Sequence, residues 1–145
     1  MELKQLNQRY ALHLAELELA ELTGTLYPPI DGEGQRIRDY FNSTNKRRAF
    51  GIKCVICTLK DMDCPPSKIA QRIGVSINAV DTMINECESC GWIEVTRLEN
   101  NYRRVRASQV LVDQWTKYAT IVADYSVEKD FGGIQSARKY HKVDG

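Results

Sequence analysis

Hydrophobic positions along the chain change their period several times, and each change marks an element. Leu3, Leu6, Tyr10, Leu14, Leu17 and Ala20 recur three or four residues apart. That spacing predicts an amphipathic helix to about Leu22, stopped at Thr23-Gly24. Residues 27–33, YPPIDGE, predict a turn through their Pro-Pro and Asp-Gly pairs. A short helix follows over about 34–42 with Ile37, Tyr40 and Phe41 inward. The next is expected over about 47–61, with Ile52, Val55, Ile56 and Leu59 as its inward set.

Pro65-Pro66-Ser67 opens another helix, since proline suits a first turn, and Ile69, Ala70 and Ile73 form its apolar face. Gly74 supplies the positive φ of a tight interhelical turn, which Val75 plugs. Ser76 is a good N-cap for a helix to Cys90 with Val80, Met83, Ile84 and Cys87 inward, ended by Gly91. From Trp92 the period becomes two. Trp92–Arg97 and Tyr102–Ala107 read as strands joined by a turn at 98–101. Ser108 caps a helix to about Tyr125, with Val110, Leu111, Trp115, Tyr118, Ile121 and Val122 apolar. The segment 128–145 is weakly specified, with a short final helix expected around Ile134 to Tyr140.

The order helix, Gly turn, helix, two-stranded basic hairpin is a winged helix-turn-helix. The expected fold class is mainly α, a winged helix-turn-helix with flanking N- and C-terminal helices. Four segments are expected: an N-terminal amphipathic dimerisation helix and turn (1–33), the winged module with an extra leading helix (34–108), a C-terminal dimerisation helix (109–127) and a tail (128–145). The first helix could instead be a packed core helix. The dimer seam is preferred because the helix lies ahead of the module, with little else to cover it.

Composition sets the bounds. The 145 residues are 43% hydrophobic and 27% charged, ordinary for one globular domain. No apolar run approaches the roughly 18 residues of a membrane span, so no membrane association is expected. The acidic, amphipathic N-terminus does not read as a signal peptide, and the five cysteines are odd in number. Together these point to reduced thiols in a cytoplasm.

The net charge of +1 hides an uneven distribution. Residues 1–33 carry two basic and six acidic side chains, 34–60 seven and one, 61–96 two and six, and 97–118 five and two. Positive charge therefore collects in two places, one of them the hairpin. A local patch governs attraction to phosphate, not the total.

The run KIAQRIGVSINAVDTMINECESCGWIEV followed by NNYRRVRAS carries a resemblance to a known family. The segment from about Arg47 to Ser108 resembles the winged helix-turn-helix of bacterial MarR-type transcription regulators. Asn101-Tyr102-Arg103 takes the place of that family's wing Asp-x-Arg, and Ala107-Ser108 the place of its Leu-Thr pair. The resemblance covers under half the chain. It implies a homodimer that binds double-stranded DNA as a transcription regulator, a repressor. It also implies a cavity for a small-molecule effector between the dimer helices and the DNA module, near Tyr40, Phe41 and Trp115.

On that reading, phosphate contacts supply affinity and base contacts specificity. The phosphate candidates are Arg97, Arg103, Arg104 and Arg106 on the wing and Lys68 and Arg72 on the preceding helix, with Lys46, Arg47 and Arg48 as additions. Alternation about Val105 would turn Arg104 and Arg106 to solvent. The base-reading candidates are Ser76, Ile77, Asn78, Asp81, Thr82 and Asn85, on the first two turns of the reading helix. Asn can bridge adenine, Ile77 can touch a thymine methyl, and Asp81 can accept from cytosine N4.

The family usually places an Arg or Lys on the exposed side of that helix. This chain has no basic residue from Ser76 to Cys90, and has Asp81, Glu86 and Glu88 instead. An acidic helix keeps a second class open, a winged-helix adaptor that docks on a basic protein.

Cys54-x-x-Cys57 and Cys87-x-x-Cys90, with Cys64 between them, raise zinc, an iron–sulfur centre and redox sensing. Both pairs fall inside predicted helices, so packed thiols are the preferred reading, and no metal or cofactor is expected. Cys64, in a loop, and Cys90, at a helix end, are the two thiols to watch for reactivity, although no basic neighbour in sequence would activate them. His13 reads as a seam or surface residue, and His141 lies at the other end of the chain. Asp39, Asp61 and Asp63 read as isolated charges. No phosphate loop, nucleophile elbow or His-Glu zinc motif occurs, so no enzyme is expected.

Overall fold

A computed structural model describes residues 1–28 and 32–144. Pro29, Ile30 and Asp31 of the expected turn lie outside the described residues. The chain forms two compact units, residues 31–116 and residues 1–30 with 117–145.

The first unit holds α2 (Glu33–Phe41), α3 (Asn45–Leu59), α4 (Pro66–Ile73), α5 (Ile77–Ser89), β1 (Ile93–Arg97), a 3-10 turn (Glu99–Asn101), β2 (Arg103–Ala107) and the start of α6 (Gln109–Glu128). Local chemistry sets the boundaries. Thr44 caps α3 by accepting from Arg47 N at 3.1 Å, and Ser76 caps α5 by accepting from Ala79 N at 3.1 Å. Between α4 and α5, Gly74 sits at φ 74°, in the left-handed region glycine enters without strain.

The core is built from Phe50, Ile69, Val80, Ile84 and Val105, all fully buried, with Cys54, Cys57, Cys64 and Cys87. Each such apolar side chain contributes about 1.5–3 kcal/mol on burial. Gly51 lets α2 approach α3, because a Cβ there would lie 2.6 Å from Cδ1 of Phe41.

The strands are antiparallel, in a register that pairs Val95 with Val105 and Arg97 with Arg103. The hairpin is anchored at three places. Val105 N donates to Cys64 O at 3.0 Å and Ser108 N to Trp92 O at 2.9 Å. Ala107 N donates to Oγ1 of Thr58 at 2.8 Å. The wing thus carries rigid connections to α3 and to the loop before α4.

Three expectations change. Helix α3 starts two residues early and ends at Leu59, and its buried face is Phe50, Gly51, Cys54, Val55 and Cys57. Ile56 and Leu59 are exposed, and Ile52 is half-buried. The cap at Thr44 sets the start of the helix, and packing against the rest of the unit selects the buried stripe. The last helix is longer than expected.

The second unit holds α1 (Leu3–Thr23), the rest of α6 and α7 (Phe131–Asp144). His13 is buried here, not at the surface. Its ring stacks on Phe131 with centroids 4.2 Å apart, and Tyr125 lies at 5.6 Å. Both ring nitrogens are buried, and among the described residues neither has a hydrogen-bond partner. Arg138 ties α7 to α1, donating to Asn7 Oδ1 at 2.7 Å and lying over the Tyr10 ring. Leu12, Leu19 and Leu22 of α1 remain exposed. Among the described residues, no helix is long and apolar enough to cross a membrane.

Candidate nucleic-acid interface

Helix α5 is anchored by one face and open on the other. Val80, Met83, Ile84 and Cys87 are buried, while Ile77, Asn78, Thr82 and Asn85 are exposed and Asp81 is half-buried. The six base-reading candidates thus lie at or near the surface of its first turns. Three are partly engaged already, Asp81 among them through Arg103 at 2.7 Å. The Ser76 hydroxyl accepts the capping bond, and the Thr82 hydroxyl donates to Asn78 O at 3.0 Å. Ile77, half exposed, is the apolar member of the set.

The basic candidates divide sharply. Lys68 and Arg72 are exposed on α4, and no carboxylate pairs with either among the described residues. The wing arginines are all paired. Arg97 donates to both carboxylate oxygens of Glu88, at 3.2 and 3.3 Å. Arg103 reaches Asp81 at 2.7 Å, Arg104 reaches Asp63 at 3.0 Å, and Arg106 reaches Asp61 at 2.7 Å.

Arg104 and Arg106 are accordingly half-buried, where strand alternation suggested open solvent. Asp61 and Asp63 are likewise not isolated. Arg47 meets Glu86 at 3.2 Å and lies over the Tyr40 ring at 4.7 Å, so a third acidic residue of α5 is neutralised from α3. Pairs this exposed contribute only about 0–1 kcal/mol each. They set where charge is available more than they set stability.

Sequence reasoning missed these pairs, yet a signal existed. The acidic stretch 61–96 directly precedes the basic stretch 97–118, and both fold into one unit. Two short neighbouring blocks of opposite charge, forced together by a hairpin, will pair.

Solved structures share this architecture. The Staphylococcus aureus MepR–DNA complex matches with TM-score 0.58 at 9% identity, over 86% of this chain and 94% of that one. The heme sensor PefR of Streptococcus agalactiae, solved with heme, matches with TM-score 0.50 at 12% identity, over 91% and 92%. Disulfide-formed AbfR matches with TM-score 0.50 at 13% identity, over 98% and 96%. This is the MarR-type winged helix-turn-helix fold. No protein-family model matches the chain, and no curated protein matches it by sequence.

The MarR-type frame also positions the cysteines. All five are free thiols. Cys54, Cys57, Cys64 and Cys87 are buried core residues. Burial pushes the thiols of Cys64 and Cys87 up to about 12, and the hydrogen bond that the Cys64 thiol donates to Cys57 adds to the rise at Cys64. Burial also raises Cys54 well above its ordinary value. Of the two thiols to watch, Cys64 is a buried core residue, because the loop folds its side chain inward.

Cys90 is half-exposed and does have a basic neighbour. The Arg36 guanidinium lies 3.8 Å from its sulfur, brought there by α2 from far away in sequence. Arg36 also pairs with Glu33 at 3.2 Å and lies over Trp92, whose Nε1 donates to Glu33 at 2.6 Å. Among the described residues, no three His, Cys, Asp or Glu side chains are grouped to hold a metal ion.

Proposed function

We propose that this protein is a DNA-binding transcription regulator that acts as a homodimer and represses its target. The observation that carries the reading is α5, a reading helix packed on one face, with Ile77, Asn78, Thr82 and Asn85 exposed on the other, beside a hairpin wing. Ser76, Ile77, Asn78, Asp81, Thr82 and Asn85 would face base edges in a major groove. Lys68 and Arg72 would hold phosphate, joined by Arg97, Arg103, Arg104 and Arg106 once these exchange carboxylate for phosphate. The likeness to a chain solved on DNA supports this reading.

Homodimerisation would use α1 with the C-terminal helices, segments 1–33 and 109–127. The exposed Leu12, Leu19 and Leu22 support it. A dimer would set two reading helices on half-sites about one helical turn apart. A small-molecule effector, if one regulates the protein, would bind near Tyr40, Phe41 and Trp115.

The test is binding to random-sequence duplex DNA at about 50 and 200 mM salt, the range over which phosphate contacts show, with the mass of the free protein measured in parallel. Salt-sensitive binding by a dimer is expected. No binding at the lower salt would overturn the reading. It would favour instead an adaptor docking a basic protein on α5, a class kept in view by the paired wing and by Asp81, Glu86 and Glu88.

A further inference from the structure

The loop between α3 and α4 bears on the wing in a way the DNA reading does not use. Asp61 and Asp63 stand two residues apart, on the same loop whose Cys64 carbonyl accepts from Val105 N in β2. That bond fixes the loop alongside the strand. Asp61 and Asp63 then meet Arg106 and Arg104, the two residues that flank Val105. The loop itself is held, since Met62 N donates to Cys57 O at 2.9 Å and the Cys64 side chain is buried. Asp61 takes a left-handed backbone, φ 51°.

We infer that the Asp61–Asp63 segment is an electrostatic latch, an autoinhibitory contact that keeps Arg104 and Arg106 from a polyanion. The inference rests on the DNA reading for its biological meaning, but not for its physics. Each guanidinium gives one nitrogen to a carboxylate of the same molecule, so a phosphate that engages it competes with that carboxylate for its charge and its donors. The two acidic side chains also stay beside the wing after release and repel the incoming strand. The carboxylates are exposed and the pairs are individually weak, so the latch lowers affinity without abolishing it. The wing therefore presents less positive charge than its arginines suggest.

Replacing both residues, Asp61→Asn and Asp63→Asn, opens the latch. Asn is the best-tolerated non-glycine residue in the left-handed region, so the backbone at 61 is preserved. The comparison protein is Asp39→Asn with Glu128→Gln, which makes the same change in net charge on exposed positions outside the wing, the reading helix and the proposed dimer segments. Two readouts are taken, affinity for random-sequence duplex DNA and the salt concentration at which each protein leaves a heparin column.

The latch-free variant is expected to bind DNA about three- to tenfold more tightly than the control at about 50 mM salt, with a salt slope steeper by about one to two. It should also leave heparin at higher salt than the control. Adding Arg104→Ala and Arg106→Ala should erase both gains. If latch and control variants behave alike on heparin, or alike on DNA when the parent binds DNA, the latch is overturned. If the heparin shift is present and no protein binds DNA, the latch stands and the DNA reading fails. Should the double variant lose its cooperative melt, Asp61→Asn alone carries the test at smaller size, since that side chain is 89% exposed.

Discussion

Arg103 donates from Nη2 to Oδ1 of Asp81 at 2.7 Å, tying the end of the wing to the second turn of the reading helix. Each side chain is about one-third exposed. The pair therefore has two consequences. It holds two parts of the module in register, and it removes one negative charge from the helix face that would meet DNA.

A double-mutant cycle measures this coupling. With Asp81 intact, Arg103→Ala leaves an uncompensated carboxylate facing the duplex and should weaken DNA binding markedly. In an Asp81→Asn background the same substitution should cost less. The difference should be about 1 kcal/mol or below, the range for a partly exposed pair. Purely additive effects on the dissociation constant would mean that the two residues act independently on DNA.

Lys68 and Arg72 are the test of phosphate contact without latching. Each stands exposed on α4 with no carboxylate partner among the described residues. Changing either to Ala should weaken binding to every sequence alike and lower the salt slope by about 0.9. Asn85→Ala should behave oppositely, shifting sequence preference by about 1–3 kcal/mol at one base pair and leaving the slope alone. Titrations over a salt series, on a selected site and on random duplex, separate the two patterns. A changed preference in Lys68→Ala would remove that residue from the phosphate set.

The fold was legible because its signals were local. The Pro65-Pro66 start, the Gly74 turn, the Ser76 cap and the alternation about Val105 each act over a few residues, and each appears where expected. What failed depends on distance. Ile56 and Leu59 are as apolar as Val55, and only packing decides which stripe of α3 turns inward. The loop position of Cys64 suggested exposure, but Val105 N reaches its carbonyl and the core takes its side chain. Arg36 beside Cys90 joins residues 54 positions apart, which no window of sequence reports. The structure brings all the base-reading candidates onto one helix. It separates the basic candidates into residues on α4 with no carboxylate partner among the described residues and paired ones on the wing, a division that residue type alone does not contain.

Gly51 offers a test of the α2–α3 packing that supports the module. Substitution by Ala would favour a helix by about 1 kcal/mol through propensity. The new Cβ would, however, lie 2.6 Å from Cδ1 and 2.7 Å from Cε1 of Phe41. Overpacking of this kind costs about 1–3 kcal/mol, so the clash should prevail. The net cost is then up to about 2 kcal/mol, and the melting temperature should fall by up to about 7 °C. Phe41→Leu in the Gly51→Ala background should recover part of the loss, relative to Phe41→Leu alone. A raised melting temperature in Gly51→Ala would show that α2 can move aside freely.

The buried thiols should also make stability depend on alkaline pH. Cys64 and Cys87 ordinarily titrate at 9.0, and burial pushes each up to about 12. Between those values the unfolded chain has lost protons that the folded chain keeps. Stability from this source is therefore complete below about pH 9 and declines as pH rises toward 12. The decline approaches about 1.4 kcal/mol per pH unit for each thiol. Tyr40, raised mainly by burial, adds a loss of the same sign at higher pH. Urea melts at a series of pH values, under reducing conditions, should show a plateau followed by this fall. Cys64→Ala with Cys87→Ala should start less stable because of the lost packing, but its curve should be shallower above pH 9. Parallel curves for the two proteins would mean that Cys64 and Cys87 do not govern the alkaline limb, and that it comes from Tyr40 or Cys54, both raised by burial.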